Sequence, residues 1–395
     1  MNYLKVLFWL FIGLDRQETS EHLLVSVIEQ LCKSGHEVHI LQKNTGGDLP
    51  SIPEVLSGYP VTTTAIPFEK ASKGNFIARY YKELRYISKC KKNFNQQYDS
   101  VFIQSNTVAG IAVKAVSKKL PNARITFNVQ DIFPYNLMYS GRIKRNSLLF
   151  KFMAKEQRYA YTRADCVITI SEDMKDTLVN DGVNEDKISV IYNWSYQDEP
   201  YVNVDTSPVS NMFNIDFFNV VYAGNIGMMQ NVDILIEAAK LMKEDKSVWF
   251  HIIGNGVYKE KLEAKAREYG INNISFWPMQ KPELAPVIYS AADVNVIPLV
   301  KNIYRTALPS KTATCLACGK PIVFAVGKES AFAQKAVKET GCLLVDADNP
   351  AVLADSLRAA CVSELKCNNS DFFRKYCEKT SNSKLYAEII TAIGG

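Results

Sequence analysis

Short apolar runs alternate with amphipathic stretches along most of this 395-residue chain. The first run, Leu4–Leu10, is followed by apolar residues at helical spacing from Ser20 onward, by Gly35 as a helix stop, and by a second run, Glu37–Leu41. A helical pattern between two short apolar runs predicts a βαβ unit with parallel strands. The opening of the chain therefore predicts an α/β fold.

The alternation continues in two blocks that are separated by a segment without periodicity, Ser195–Phe213. Its prolines and polar residues predict a linker between two domains. We therefore expect a first domain over residues 1–198, a second over residues 215–371, and a helix over residues 372–395 that packs back on the first domain. The further predicted strands are Ser100–Gln104, Arg124–Val129, Ala164–Ile170 and Lys187–Tyr192 in the first block, and Asn219–Tyr222, Val248–Ile253, Ile274–Trp277, Val294–Pro298, Pro321–Ala325 and Cys342–Val345 in the second.

Length and composition are those of an ordinary two-domain globular protein. Apolar residues make up 47% and charged residues 22% of the chain, which excludes disordered and fibrous classes. The nine cysteines have no regular spacing, so neither a disulfide framework nor a metal site is expected, and a reducing cytosol is the simpler compartment. The apolar run Val6–Leu14 is better interpreted as a buried strand than as a signal peptide, and it is too short to span a bilayer.

Positive charge is concentrated in two segments of the N-terminal half. Eight of the residues from 69 to 92 are basic and two acidic, and six of those from 142 to 158 are basic and one acidic, whereas the whole chain carries +5. Each segment also has apolar residues at or near helical spacing: Phe76, Ile77, Tyr80, Tyr81, Leu84 and Ile87 in the first, and Leu148, Leu149, Phe150, Phe152 and Met153 in the second. This pattern is typical of helices on an anionic bilayer, but core helices with a solvated basic face share it. Nucleic acid is not an expected partner, because no recognised binding module accompanies the charge.

Two glycine-containing turns follow predicted strands of the second block. Gly224 and Gly227 come after the strand that ends at Tyr222, and Gly254 and Gly256 come after the next strand. Glycines there let the backbone approach a ligand, and a helix N-terminus favours a diphosphate. Tight turns between strands and helices hold glycines for structural reasons as well, so both interpretations stay open.

Two charged residues have both a functional and a structural interpretation. Lys311 follows Pro309 and Ser310 at a predicted helix start, where it could neutralise the charge that builds on a departing diphosphate, or simply be solvated. Asp131 could orient an acceptor hydroxyl or act as a base, or it could cap the turn before Pro134.

The order and spacing of short motifs over nearly the whole chain are more specific than any single motif. Through them the chain resembles family-4 retaining glycosyltransferases of the GT-B fold, in the branch that builds bacterial capsular and O-antigen polysaccharides and includes N-acetyl-L-fucosamine transferases. The motifs are Gly35–Val38, Val129–Pro134, Ala164–Ser171, Lys187–Asn193, Tyr222–Gly227, Ile253–Gly256, Ala291–Val294 and Pro309–Pro321.

The resemblance implies two Rossmann-like domains that face each other across a cleft. It also implies transfer of a sugar from a UDP-sugar, without a metal, to an undecaprenyl-diphosphate-linked acceptor in surface polysaccharide synthesis. Such an enzyme would be cytoplasmic and peripheral on the inner face of the plasma membrane, where the lipid-linked acceptor lies. Front-side displacement, in which the leaving phosphate helps to take the acceptor proton, is the usual proposal for retention in this family.

Carried over by position, the resemblance places the donor diphosphate between the Gly224–Gly227 turn and Lys311. The base would lie near the second glycine turn and Pro278, and the acceptor would enter near Gly13 and Asp131. The site residues so implied are Lys311, Asp131 and Arg305 for catalysis; Gly224, Asn225, Gly227, Gln230, Gly254, Gly256, Pro278, Ser310 and Thr314 for the donor; and Gly13 and Gln130 on the acceptor side.

The chain departs from the family pattern at five of the matching positions. Many members have two glutamates eight positions apart, where this chain has Thr306 and Thr314. Many carry an arginine and a lysine in the glycine turn, where this chain has Asn225 and Gln230, and the histidine that often precedes the aspartate is Gln130. Hydroxyls in place of carboxylates suit a different sugar, such as an N-acetylated deoxy sugar.

These departures leave Lys311 and Arg305 as the nearby cations that could hold the diphosphate. They also keep two other function classes open. One is a nucleotide-sugar epimerase on the same fold, although the acidic and histidine residues it would need are not evident. The other is a non-catalytic nucleotide-sugar-binding subunit, which the missing glutamates would explain.

Overall fold

The computed structural model describes residues 3–14, 21–46, 52–69, 76–94, 96–363 and 365–395, except the side chains of Phe76 and Ile77. It divides the chain into unit 1, which contains Met1–Asn193 and Lys379–Gly395, and unit 2, which contains Trp194–Glu378. The predicted helix start at Ser20 and two of the basic residues of the first charged segment, Lys70 and Lys73, lie outside the described residues.

Unit 1 is built on a seven-stranded sheet in the order β3-β2-β1-β4-β5-β6-β7, in which every pair is parallel. Its central strands are buried on both faces, as their continuous apolar runs predict. The strands are β1 Lys5–Trp9, β2 Glu37–Asn44, β3 Val61–Pro67, β4 Ser100–Gln104, β5 Arg124–Val129, β6 Cys166–Thr169 and β7 Ile188–Val190. The helices are α1 Glu21–Lys33, α2 Phe76–Cys90, α3 Ala109–Lys119, α4 Tyr135–Tyr139, α5 Leu148–Arg163, α6 Glu172–Asn180 and, from the C-terminus, α14 Lys379–Gly394.

The C-terminal helix α14 packs against α1 within unit 1. His36 links it to the first strand, because its Nδ1 accepts from the backbone N of Leu4 (3.3 Å) and its Nε2 lies 3.0 Å from Oγ1 of Thr391. The stretch predicted as one helix over residues 372–395 is two helices, of which the first, Asn369–Tyr376, belongs to unit 2.

Unit 2 is built on a six-stranded parallel sheet in the order β10-β9-β8-β11-β12-β13. The strands are β8 Phe218–Ala223, β9 Val248–Ile253, β10 Ile274–Trp277, β11 Val294–Pro298, β12 Ile322–Val326 and β13 Leu343–Asp346. The helices are α7 Asp233–Leu241, α8 Lys259–Glu268, α9 Ala285–Ala291, α10 Lys311–Ala317, α11 Ala331–Thr340, α12 Pro350–Val362 and α13 Asn369–Tyr376.

The segment predicted as a linker is packed rather than extended. Apart from a short 3₁₀ turn, Ser207–Val209, it has no helix or strand, yet Val209 and Met212 are buried in unit 2. The backbone N of Tyr201 donates to the carbonyl of Ala317 (2.8 Å), which fixes the segment to α10. The loss of hydrophobic periodicity therefore marks an irregular segment of unit 2.

Candidate functional site

The strand order of unit 2 reverses between β8 and β11, the two central strands. In open parallel sheets, ligands bind beyond the carboxyl ends of the strands at such a reversal, because the chains leave it in opposite directions and open a crevice. The turn that begins at Gly224 follows β8, and the segment that leads to α10 and Lys311 follows β11. Both predicted donor elements thus come from the two strands at the reversal.

The Gly224–Asn231 turn is held in place by its neighbours. The Tyr222 hydroxyl donates to the carbonyl of Asn225, so the end of β8 supports the turn from below. Backbone hydrogen bonds tie it to the loop after β9 and to the segment after β11: Gly224 N to Ile253 O (2.9 Å), Ile226 N to Asn255 O (2.9 Å), and Val300 N to Met229 O (3.0 Å).

Gly254 and Gly256 are explained by the close packing of the two glycine turns. A Cβ at Gly254 would overlap the carbonyl oxygen of Gly224, and a Cβ at Gly256 would overlap that of Ile226. Gly254 also has a φ of +150°, a conformation that residues with a side chain rarely adopt. The absence of side chains at these two glycines therefore allows the backbone of the first turn to pack directly against the second turn.

Lys311, the first residue of α10, lies against the first turn. Its Nζ is 2.8 Å from where a Cβ on Gly224 would stand, so the absence of a side chain at Gly224 makes room for the ammonium group. Nζ also lies 3.7 Å from the centre of the Tyr222 ring, a cation–π contact. The atom is closed off from solvent and has no hydrogen-bond partner in the described part of the chain.

Burial lowers the pKa of Lys311 from 10.5 to about 7, and the nearby Cys315 offsets this shift only in part. An anion that entered beside Gly224 would pair with this ammonium group and restore its charge. A buried, unpaired cation between a glycine turn and a short helix is thus a site for a negatively charged ligand group.

The positions that carry cations in many relatives form a neutral pair in unit 2. Nδ2 of Asn225 donates to Oε1 of Gln230 (3.3 Å), and both side chains stand beside Gly227. A Cβ at Gly227 would be 2.7 Å from each of these atoms, so the glycine makes space for the pair. The turn therefore offers amides and no positive charge of its own.

The remaining predicted donor residues differ in exposure. Thr306 and Thr314, at the two glutamate positions, are buried; Oγ1 of Thr306 donates to the carbonyl of Ile303 (3.0 Å), and Oγ1 of Thr314 lies 3.4 Å from Oγ of Ser195. Arg305 and Ser310 are exposed, and the guanidinium of Arg305 stacks 5.3 Å from the ring of Tyr304.

Pro278 is exposed and follows β10, next to the second glycine turn. The carbonyl of Trp277 accepts from the backbone N of Gly254 (3.1 Å) and from Nζ of Lys259 (2.8 Å). This places the loop around Pro278 beside the Gly254 turn, where the resemblance puts the nucleotide base.

In unit 1, Asp131 lies at the carboxyl end of β5. The hydroxyl of Ser105, which follows β4, accepts from the backbone N of Gln130 (3.1 Å) and of Asp131 (3.2 Å). The residue Asp131 is only partly buried, but its carboxyl group is shielded from water. This burial raises the pKa of the carboxyl from 3.8 to about 7, and a hydrogen bond from Asn136 partly offsets the rise. A carboxyl that titrates near pH 7 suits a general base.

Gln130 lies in a chain of side-chain hydrogen bonds. Its Oε1 accepts from Nδ2 of Asn193 (2.9 Å), its Nε2 donates to Oδ1 of Asn128 (3.3 Å), and the same oxygen accepts from the Tyr386 hydroxyl (3.1 Å). Gly13 is buried in the loop after β1, at the same sheet edge as Asp131.

The two basic segments form α2 and α5, and they differ in what they expose. Helix α2 buries Tyr86 and Ile87 in unit 1 and leaves Tyr81 exposed, so its predicted apolar stripe is partly core. Helix α5 buries Phe150 and Met153 but exposes Leu148 by 85% and Phe152 by 46%. No helix within the described ranges is both long and apolar enough to cross a bilayer.

Two residues with clear roles in these sites were not predicted from the sequence. Tyr222 supports the turn and faces Lys311. The sequence feature that could have indicated this role is an aromatic residue just before the end of the strand that leads to the glycines. Ser105 fixes the backbone before Asp131, and its signal was a hydroxyl directly after an apolar strand. Among the described residues, no group of three or more His, Cys, Asp or Glu could hold a metal.

The two blocks of the chain match two glycosyltransferase family models. Residues 20–194 match Glycosyltransferase Family 4, and residues 218–361 match Glycosyl transferases group 1. The probable glycosyltransferase WbjE of Pseudomonas aeruginosa is 26% identical over 226 residues, which cover 54% of this chain and 53% of the relative. The putative colanic acid biosynthesis glycosyl transferase WcaI of Escherichia coli (strain K12) is 26% identical over 270 residues, which cover 66% of this chain and 65% of the relative.

The chain thus spans between about half and two thirds of the length of these relatives. Solved structures share its fold over nearly the whole chain. HepE of Anabaena, in complex with UDP and glucose, has a TM-score of 0.71 at 14% identity, covering 99% of this chain and 100% of its own. WaaG, a glycosyltransferase involved in lipopolysaccharide biosynthesis, has a TM-score of 0.68 at 14% identity, covering 98% and 99%. The chain therefore has the GT-B fold, and its two blocks match a Family 4 model followed by a group 1 model of glycosyltransferases.

Proposed function

We propose that this protein transfers a sugar from a UDP-sugar to a lipid-diphosphate-linked acceptor in the synthesis of a surface polysaccharide, with retention of configuration. Unit 2 would bind the donor, and unit 1 would hold the acceptor and the base. The relatives WbjE and WcaI, by their names, and HepE, by the UDP and glucose that it holds, support this function class.

One observation carries the proposal, the unpaired Nζ of Lys311 beside Gly224. A diphosphate in this place would contact the ammonium group and the backbone of the turn, which Tyr222 and the second glycine turn already hold in position. As the bond to the sugar breaks, negative charge grows on the leaving diphosphate, and a preorganised cation stabilises that charge. Lys311 would therefore contribute more to the transition state than to donor binding.

The proposed donor sugar is an N-acetylated deoxy sugar. Thr306 and Thr314 place buried hydroxyls where many relatives have carboxylates, and Asn225 and Gln230 place amides where they have cations. A site with fewer charges and more neutral hydrogen-bonding groups suits a sugar with an acetamido group and a missing hydroxyl. An N-acetylated deoxy sugar fits this description.

On the acceptor side, Asp131 is the proposed base or orienting group, and a lipid-linked acceptor calls for docking on a membrane. Exposed Leu148 and Phe152 on α5, next to basic residues, support peripheral association with an anionic bilayer. We propose that this association is with the inner face of the plasma membrane.

The test is release of UDP from a panel of UDP-sugars in the presence of an undecaprenyl-diphosphate-linked acceptor, with mass spectrometry of the product. Lys311→Ala is expected to lower kcat/KM at least tenfold, which corresponds to about 1.4 kcal/mol or more of lost transition-state stabilisation. Lys246→Ala is the matched control, because Lys246 is exposed and precedes β9, at the opposite end of the sheet. An equal effect of both substitutions would contradict the proposal.

The same assay separates the two alternatives. Binding of the nucleotide without turnover on any acceptor would indicate a non-catalytic subunit, and conversion of the UDP-sugar without an acceptor would indicate an epimerase. Neither alternative is favoured by the two glycosyltransferase segments or by the names of the relatives.

A further inference from the structure

A cavity of about 370 Å³ lies in unit 1, between α4 and the first half of α5. Four cationic side chains and two aromatic rings line it: Arg145, Lys151, Lys155, Arg158, Tyr135 and Phe150.

One largely buried carboxylate, that of Asp181, holds two of the residues that line the cavity. Asp181 accepts from the hydroxyl of Tyr135 (3.0 Å) and from the guanidinium of Arg158 (3.2 Å), and its side chain is only 11% exposed. The ring of Phe150 packs edge-on against that of Tyr135, with their centres 5.5 Å apart. The aromatic side of the cavity is therefore packed and hydrogen-bonded, whereas the cationic side chains around it are exposed.

Three of the four cations have no acidic partner in the described part of the chain: Arg145, Lys151 and Lys155. Asp181 pairs with Arg158, so one carboxylate stands against four positive charges. Like charges that line one concave site repel one another and raise the local positive potential, which favours a multiply charged anion there.

Two features connect this anion with a lipid. On α5, exposed Leu148 is one helical turn before Lys151, and exposed Phe152 is one turn before Lys155, so apolar side chains adjoin the charged mouth. Tyr135 is four residues after Asp131, which limits the distance between their Cα atoms to roughly 14 Å. The cavity is therefore near both an apolar surface and the proposed base.

We propose that this cavity binds the diphosphate of the lipid-linked acceptor, with the lipid leaving past Leu148 and Phe152 and the sugar directed towards Asp131. This inference rests on the proposed function, because it assumes a lipid-diphosphate acceptor. Lys151 and Lys155 supply charge to the diphosphate, and Asp181 acts as a positioning residue through Tyr135 and Arg158.

The first test measures binding of inorganic pyrophosphate to full-length protein by calorimetry, with Lys311→Met as the background so that the donor site does not contribute. The double substitution Lys151→Gln/Lys155→Gln is expected to weaken binding at least tenfold. The matched control is Lys118→Gln/Lys119→Gln, which removes the same charge from exposed positions on α3. Equal weakening by both doubles, or no binding of pyrophosphate in that background, would overturn the inference.

The second test distinguishes the acceptor lipid from the bulk bilayer. Vesicles of phosphatidylcholine with a few per cent undecaprenyl diphosphate are compared with vesicles that carry the same total charge as phosphatidylglycerol. Selective binding to the diphosphate lipid, lost in the Lys151→Gln/Lys155→Gln protein, is expected; equal binding to both vesicles would mean that the cavity responds only to general negative charge.

Kinetics separate a failure of this inference from a failure of the proposed function. If the cavity holds the acceptor, Lys151→Gln/Lys155→Gln raises the acceptor KM at least tenfold and leaves kcat and the donor KM within twofold. Unchanged acceptor KM with full turnover would refute the cavity alone, whereas no turnover by the unsubstituted protein would refute the proposed function.

Discussion

The backbone carbonyl of Gly224 occupies the space that a Cβ on Gly254 would need. The two turns at the end of β8 and β9 are therefore packed backbone against backbone, and the position of the donor turn depends on the second turn having no side chain. The geometry of the proposed diphosphate site is thus set partly by residues that need not touch the ligand.

We expect Gly254→Ala to lower the free energy of unfolding by about 3 kcal/mol, because the new Cβ overlaps a backbone atom that cannot move without displacing the turn. Chemical denaturation measures this loss, and affinity for UDP should fall with it. Gly46→Ala is the control for the φ effect: φ is +136° and nothing lies within 4 Å of its Cβ, so a loss of only about 1–2 kcal/mol is expected. Similar losses of unfolding free energy in the two variants would show that the turns can move apart at little cost.

Donor binding should take up a proton at Lys311. With its pKa near 7 in the free protein, Lys311 is mostly neutral above that pH, and a bound diphosphate restores the charge. Calorimetry of UDP-glucose in buffers of different ionisation enthalpy should give uptake close to one proton at about pH 8.5 and close to none at about pH 5.5. Affinity should fall by up to about tenfold per pH unit above 7.

The Lys311→Met protein is the control for this linkage, since it has no group to protonate there. Its proton uptake should be near zero at both pH values. Uptake that persists in that protein would assign the proton to another residue.

The parallel sheets were predictable because their central strands are continuous apolar runs between helical patterns. Strand β3, Val61–Pro67, was missed because its apolar signal is weak: three consecutive threonines interrupt the apolar residues, and only Val61 and Ile66 are buried. The other edge strands, β7, β10 and β13, were predicted because their apolar runs are less interrupted.

The site was predictable only in outline. The resemblance implied that Lys311 and the Gly224 turn would meet, but for Lys311 considered alone a solvated lysine at a helix start was the better interpretation of the sequence. Burial and lack of a partner for Nζ follow from how β8 and α10 pack, with Tyr222 beneath the ammonium group. The apolar patterns of α2 and α5 looked alike in the sequence. They did not indicate that Ile87 on α2 is in the core or that Leu148 on α5 is exposed.

Asp131→Asn should abolish transfer and change the pH dependence of stability. A carboxyl whose pKa is about 7 in the folded protein and 3.8 when unfolded binds more protons when folded between these values, so stability falls as pH rises from about 4 to 7. The asparagine variant lacks this fall, so between pH 5 and pH 8 it should gain roughly 2–3 kcal/mol of stability relative to the unsubstituted protein. Denaturation at pH 5 and pH 8 measures the difference, and a variant that loses stability equally at both would contradict this assignment.

Membrane docking should depend on α5 and much less on α2. Leu148→Glu/Phe152→Glu removes two exposed apolar side chains next to basic residues and should reduce partition onto vesicles with anionic lipid at least tenfold, since each large apolar side chain contributes about 1.5–3 kcal/mol when fully buried. Tyr81→Glu changes the exposed aromatic residue of α2, whose Tyr86 and Ile87 are buried in the core, and it should alter partition less than twofold. Sedimentation with vesicles gives both values. A larger effect of Tyr81→Glu would assign the membrane surface to α2, and unchanged partition in both variants would mean that neither helix docks.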